Sequence, residues 1–344
     1  MNPADVALQL RRIEDNGGTG DVSFGGARTL HVSSLGKRYF ANGLTKGGLM
    51  RYYAAVWDAL APHVADRPLV LKRYPEGVSG PMFFQQNAGE HVPDVVRVER
   101  VETRDEGPKD RIVGGDLATL LYTVQIGSIE VHPWLSRMKN VDAADRCLID
   151  LDPDEGVPFA QVVGLARDLL GIIKGCGLSA GVKTSGSSGI HLVIPLPGGV
   201  SYDTSAALAM LVARAVTAMH PDRATVERSL SARPAGTIYV DPMQNARGKS
   251  MACAYSVRAK EGAPASAPLR ERELTSRLRL AAFTVKTLPR RVAREGDLWG
   301  EALASSPTKG AVTKAMRMLE QVLEDVPTAT KPARGQKRSR GRRS

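Results

Sequence analysis

The chain has 344 residues, 42% of them hydrophobic and 24% charged, which excludes a disordered or fibrous polymer and allows one large domain or two small ones. No apolar run reaches the length of a membrane-spanning helix. The three cysteines, Cys147, Cys176 and Cys253, are odd in number and widely spaced without a CxxC pair, so they argue against a disulfide framework or a zinc site. The net charge of +11 points to a polyanionic partner, although seven basic residues and no acid lie within Lys331 to Ser344, leaving +4 for the rest.

Met1 to Gln9 contains Asp5 and lacks a basic stretch followed by an apolar run, so no secretory signal is read and a cytoplasmic location without membrane contact is expected. Residues 1–25, polar and glycine-rich around Asn16 to Gly20, are expected to form a loose lead-in. Leu49 to Val64 predicts one amphipathic helix, with Met50, Tyr53, Ala54, Trp57 and Leu60 at spacings of three and four. Arg67 to Tyr74 reads as a strand stopped by Pro75, and Asp116 to Val131 begins helical. Cys147 to Asp152 predicts a strand broken by Pro153. Phe159 to Gly175 predicts a helix with Val162, Val163, Leu165, Ala166, Leu169, Leu170 and Ile173 inward. A strand (179–183), a Gly/Ser loop (184–189), a strand (190–195), a helix (204–220) and a strand (237–240) follow. Composition shifts near Ser306. Ala311 to Leu323 predicts a short helix, and the basic tail beyond Pro327 is expected to be disordered. The expected division is a lead-in (1–25), a folded body (26–303) and a helix with a tail (304–344). No internal repeat occurs, and the irregular order of strands and helices favours an α+β or mixed fold over a doubly wound parallel sheet.

Three clusters carry chemistry. Asp150 and Asp152, two apart on a strand, project from one face, and Asp241 ends another apolar strand. Adjacent carboxylates repel unless a cation sits between them, and oxygen donors of this kind suit Mg²⁺ or Mn²⁺. Three of them would serve a two-ion displacement at phosphorus. Asp152-Pro153-Asp154-Glu155-Gly156 is equally a good turn, so spacing alone leaves both readings open. Lys183-Thr184-Ser185-Gly186-Ser187-Ser188-Gly189-Ile190-His191 offers backbone amides, hydroxyls and a lysine to an anion, or is a flexible hairpin loop. It is not a Walker A loop. Gln244, Arg247 and Lys249, followed by Arg258, supply amide and cationic groups suited to a transferring phosphoryl group, or form a solvated basic loop.

Taken in order, Leu71 to Gly77, Phe83 to Asn87, Glu130 to Trp134, Asp150 to Pro153, Lys183 to His191, Val240-Asp241 and Gln244 to Lys249 make the sequence resemble the polymerase domain of bacterial ligase D, in the archaeo-eukaryotic primase superfamily. The resemblance spans about residues 30–303. It implies a primase-type catalytic core of mixed and antiparallel sheets forming a cleft flanked by helices. It also implies Asp150, Asp152 and Asp241 as metal ligands for two Mn²⁺ or Mg²⁺ ions. Lys183, Ser185, Ser187, His191, Gln244, Arg247, Lys249 and Arg258 would lie on the incoming nucleoside triphosphate. Lys72, Arg73, Phe83, Phe84 and His132 would meet DNA, the aromatic pair packing on template bases, while Lys37 and Lys46 would grip a 5′-phosphate across a gap.

The sequence departs from the family at Ser34-Leu35-Gly36-Lys37, where Asn-x-Asp-Lys is usual, and at Gly186-Ser187-Ser188-Gly189, where a lysine often stands. Ala252-Cys253-Ala254-Tyr255 lacks a proline before the tyrosine, Lys260 replaces an arginine, and no Lys-x-Asp-Gly adenylation motif occurs. The expected protein is a stand-alone, nucleoid-associated polymerase module acting on gapped or broken DNA beside a separate ligase or end-binding protein. Two rivals are a primase-polymerase that starts chains de novo and a weakly active gap-binding module that recruits a ligase.

Overall fold

The structure, a computed structural model, describes residues 2–102 and 107–325. The chain opens with helix α1 (Pro3–Asp15) and the hairpin β1 (Gly20–Ser23) and β2 (Thr29–Val32). Helices α2 (Lys46–Ala55) and α3 (Trp57–Val64) lead into β3 (Arg67–Arg73), β4 (Phe83–Gln85), β5 (Val98–Val101) and β6 (Lys109–Gly114). Next come α4 (Leu117–Gln125), β7 (Ser128–Pro133), β8 (Ala143–Pro153), α5 (Phe159–Gly175), β9 (Gly181–Thr184) and β10 (Ile190–Ser201). The remainder is α6 (Tyr202–Met219), β11 (Ala224–Thr225), β12 (Ile238–Asp241), β13 (Pro268–Leu269), α7 (Leu288–Glu295), α8 (Leu298–Leu303) and α9 (Lys309–Glu324).

Two sheets organise the body. The larger runs β11-β12-β8-β10-β9-β13, antiparallel except for the β11–β12 pair. The smaller runs β4-β3-β6-β5, with β7 also on β3. β3 pairs with β6 at Arg67 and Pro68, and from Leu71 to Arg73 it lies between β7 on one edge and β4 on the other. Helices α5 and α6 cover the larger sheet, burying Leu165, Leu169, Leu208 and Val212 against the face that carries Ile149 and Leu192. The segment from Cys253 to Arg258 joins the sheets: Cys253 N–H donates to the Val131 carbonyl on β7 (2.8 Å), and Tyr255 N–H to the Ser266 carbonyl (2.7 Å).

The expected loose lead-in differs most from the structure. Residues 3–15 are helical because the Asn2 side chain caps Ala4 N–H, Pro3 occupies the first turn, and Val6 and Leu10 bury one face. That face packs on α2, where Glu14 meets Arg51 and Thr45. The helix expected over 49–64 is two helices, parted at Val56, whose φ −106° and ψ 6° leave the helical basin. The C-terminal helix belongs to the body, since Val312, Ala315 and Leu319 are buried and α9 packs on α6. The tail beyond Pro327 lies outside the described residues.

Candidate active site

The register across the larger sheet puts the site's residues in one row. Asp241 on β12 stands opposite Asp150 on β8, Asp150 opposite His191 on β10, and His191 opposite Lys183 on β9. Asp152 lies on the same face as Asp150, opposite Tyr239. The three aspartates therefore share one patch, as the sequence implies.

Their environments differ. Asp150 Oδ1 is buried with no hydrogen-bond partner, and His191 Nε2 approaches it at 3.3 Å. Burial works against charge on Asp150, but His191, with Lys183 and Arg258 behind it, outweighs burial and holds the carboxyl below its usual value. For Asp152 the support of Arg233 and Arg258 is outweighed. Partial burial, then the neighbouring Asp150 and Asp241, push it up to about 7. Asp241 is buried, its Oδ1 accepting from Met243 N–H (2.7 Å) and Tyr239 Oη (3.2 Å) and its Oδ2 from Gln244 Nε2 (3.2 Å). Among the described residues no three such donors enclose a point as they stand, because Asp241 is turned to its own loop and the others repel. An orphaned carboxylate oxygen beside an acid that keeps its proton near neutrality nonetheless fits a hard divalent cation.

The Gly/Ser loop is tied to this row. Ser185 closes it, its hydroxyl accepting from Ser187 N–H (3.1 Å) and Gly189 N–H (3.0 Å). A side chain at Gly189 would strike the Leu151 carbonyl at 2.0 Å, so only glycine lets the loop lie against β8. Ser187 is half-buried and Ser188 exposed at the tip. Lys183 corrects an expectation: it is fully buried, donating to His191 Nδ1 (2.6 Å) and Ser266 Oγ (2.8 Å), and does not reach the surface to meet a phosphate. Burial pushes Lys183 down to about 7 and His191 to about 4. A lysine donating to Nδ1 leaves the neutral imidazole's hydrogen on Nε2, facing Asp150.

Arg258 bridges the sheets. Its Nε donates to Glu130 Oε2 on β7 (2.9 Å) and its guanidinium to the Ser185 carbonyl. Glu130 is buried and also meets His132 Nε2 (2.8 Å) and Lys72 Nζ (3.2 Å). Burial would raise its pKa, but His132, Arg258 and Lys72 hold it far below the carboxylate range. Lys249 is exposed with no ion-pair partner among the described residues. Arg247 is not brought to the aspartates. It pairs with Asp142 (2.6 Å), donates to the Glu102 carbonyl and lies over Trp134.

On the facing sheet, Phe83 and Phe84 are 46% and 61% exposed, which excludes a core role for the pair. Arg73 stacks on Phe83 at 5.1 Å and donates to Gln85 (2.7 Å). Lys37 and Lys46 share a turn, Lys46 N–H donating to the Lys37 carbonyl (2.8 Å). Lys37 pairs with Glu76 (2.8 Å), whereas Lys46 is buried on the Ser33 and Gln125 carbonyls.

Sequence reasoning gave no role to Glu130, Tyr239 or Arg233, and took Asn245 only as part of the Gln244 to Lys249 stretch expected near the triphosphate. Glu130 and His132 share strand parity, as do Tyr239 and Asp241, which was the available signal. Arg233 lies over the Tyr239 ring at 4.2 Å. The buried Asn245 side chain holds both backbone groups of Leu148 (2.8 and 2.7 Å) and thereby fixes β8 two residues before Asp150.

A carboxylate row on one antiparallel sheet, bridged by a buried ion cluster to a second sheet bearing exposed aromatics, is a primase-type catalytic core. The family described as "LigD, primase-polymerase domain" matches residues 45–299, and the chain belongs to that family. It is 32% identical over 272 residues to the multifunctional non-homologous end joining protein LigD of Pseudomonas aeruginosa, covering 78% of this chain and 32% of the relative. It is 33% identical over 269 residues to the bifunctional LigD of Bacillus subtilis, covering 78% and 43%. The chain thus spans well under half the length of these relatives. The polymerase domain of Mycobacterium tuberculosis ligase D in complex with DNA superposes with a TM-score of 0.74 at 30% identity, covering 81% of this chain and 99% of that one. No helix among the described residues is long and apolar enough to cross a membrane.

Proposed function

We propose that this chain is a template-dependent polymerase that adds nucleotides from nucleoside triphosphates, ribonucleotides included, to primer 3′-ends in short gaps during end-joining repair of DNA. The observation that carries this reading is the row Asp241, Asp150, His191, with an unpartnered carboxylate oxygen in it. Asp150, Asp152 and Asp241 would hold two Mn²⁺ or Mg²⁺ ions. When bound, such ions supply charge neutralisation at the attacking and leaving oxygens. His191 orients Asp150 through its Nε2, and Lys183 fixes the imidazole from behind. Ser187, Gln244, Lys249 and Arg258 line the approach for a triphosphate, and Ser185 shapes the loop that presents Ser187.

Phe83 and Phe84 offer faces on which bases stack without regard to sequence, with Arg73 on Phe83, Lys72 opposite Phe84, and His132 across β3 beside Glu130. Lys37 would meet a 5′-phosphate, which requires it to exchange Glu76 for the nucleic acid, whereas the expected partner Lys46 is buried on the Ser33 and Gln125 carbonyls and holds the turn behind it. A separate ligase or end-binding protein would complete the repair, with the chain working at the nucleoid. The test is extension of a gapped, 5′-phosphorylated duplex with Mn²⁺ and labelled nucleotides. Extension that disappears in Asp150→Ala supports the reading, and equal product from both proteins, or none from either, defeats it.

A further inference from the structure

At the other end of β8 from the aspartates, a cavity of about 270 Å³ lies between α3, β3, β8 and α8, lined by His63, Arg67, Arg137, Asp145, Arg146 and Pro195 among others. Arg146 is four residues from Asp150, roughly 13 Å along a strand, and pairs in register with Pro195 rather than with the carboxylate row.

Three guanidinium groups meet here against one carboxylate. Arg67, fully buried, donates to Asp145 Oδ2 (2.5 Å) and to the Trp134 carbonyl (3.1 Å), and its Nε has no partner. Arg137 shares the same Asp145 oxygen (3.1 Å) and donates to the Ala65 carbonyl (2.6 Å). Asp145 Oδ1 is itself unpartnered.

Arg146 is 6% exposed and has no carboxylate within ion-pair reach among the described residues. Its contacts are to His63, at the carbonyl (3.5 Å) and Nδ1 (3.3 Å). Burial, then Arg67 beside it, push the Arg146 guanidinium down to about 9, against an opposing pull from Asp145, which lies beyond ion-pair reach. His63 adds no compensating anion: its Nε2 is held by Asp297 (2.8 Å), and burial lowers its pKa. A buried charge without a partner is costly, and guanidinium forks match tetrahedral and planar oxyanions. The cavity is smaller than the roughly 300–1,000 Å³ of sites for drug-sized molecules, so its occupant is small.

We propose that this pocket binds a phosphate-class oxyanion, held by Arg146 and Arg137 with Arg67 behind them. The site is independent of the polymerase reading and would stand if that reading failed. Titration calorimetry of the full chain with inorganic phosphate and pyrophosphate, at ionic strength fixed with chloride, is the test. The wild type and Asp150→Asn are expected to bind equally, and Arg146→Met to bind roughly tenfold or more weakly while keeping its circular dichroism, since a charge-assisted contact is lost. Equal binding by Arg146→Met and wild type, or no binding above the chloride background, overturns the proposal. Should Arg146→Met fail to fold, the partly exposed Arg137→Gln decides by the same criterion. The source of the anion is read from gapped duplex. A salt slope lower by about one in the variant assigns a DNA backbone phosphate, and an unchanged slope with lost phosphate binding assigns a free anion.

Discussion

Replacing Asp152 by Asn should make the metal-free protein more stable, although it removes a residue of the proposed catalytic set. Asp152 stands on one face with Asp150 and Asp241, and these two carboxylates, after partial burial, raise it to about 7. A same-face neighbour two residues along a strand is about 7 Å away, where unit charges repel by about 0.6 kcal/mol in water and about 2.4 kcal/mol at an effective dielectric near 20. Because Asp152 is solvent-exposed, the screened end of that range applies, and two neighbours give about 1 kcal/mol. For a domain of this size that is a rise of about 2–3 °C in Tm.

The gain depends on pH with a defined sign. The folded-state pKa is raised, so the wild type binds the proton more tightly when folded, and that stability is lost as pH climbs from about 4 through about 7. Asn mimics the protonated acid and has no such loss. The two melting curves should coincide at pH 5 and separate by pH 8.5. Adding Mn²⁺ should then raise the wild-type Tm and leave Asp152→Asn nearly unmoved. A variant less stable than wild type at pH 8.5, or a gap independent of pH, would refute the reasoning.

Three further outcomes are expected. Phe84→Ala should leave Tm unchanged because the ring is exposed, yet weaken single-strand or gapped-DNA binding by about 1–3 kcal/mol in fluorescence anisotropy. Glu130→Gln leaves Lys72, His132 and Arg258 without their buried anion and should cost about 3–5 kcal/mol in urea unfolding; a loss under 1 kcal/mol would show that the cluster is not coupled. Deleting residues 2–18 strips the helix that covers α2 and leaves Arg51 without Glu14, so the truncated chain should melt lower and in a broader transition, whereas an unchanged Tm would return that segment to the status of a lead-in.

The carboxylate sheet was legible because its elements are locally determined. The helix at 159–175 has uninterrupted apolar periodicity and was placed to the residue, and the strand bearing Asp150 and Asp152 has the apolar centre Cys147-Leu148-Ile149 ahead of them. Of the smaller sheet only β3 was legible, as the strand expected over Arg67 to Tyr74, since β4, β5 and β6 are short and carry Phe84, Glu99, Arg100 and Asp110 outward, so their pairing rests on partners distant in sequence. Lys183 misled for a related reason. A lysine before a Gly/Ser loop reads as a phosphate donor, but on a four-residue strand whose every side chain is buried it points behind the row. Residue type is local information, whereas burial of a single lysine depends on Trp299 and Ser266, more than 80 positions away.

The two walls of the cleft carry charges that neither compensates alone. On one wall, three aspartates share a patch with one oxygen unpartnered; on the other, Lys72, His132 and Arg258 surround the single anion Glu130. Arg258 acts on the aspartates only through space, because Glu130 and the Ser185 carbonyl hold its guanidinium in place. A cation alone would relieve the first wall and sharpen the positive field of the second, while a polyanion alone would relieve the second and oppose the first. Under the proposed reading the two ligands must therefore bind with positive coupling, each tightening the other by the same factor. That coupling comes from the fixed Arg258 bridge, which keeps the charges separated in the empty protein and makes the site complete only with both ligands present.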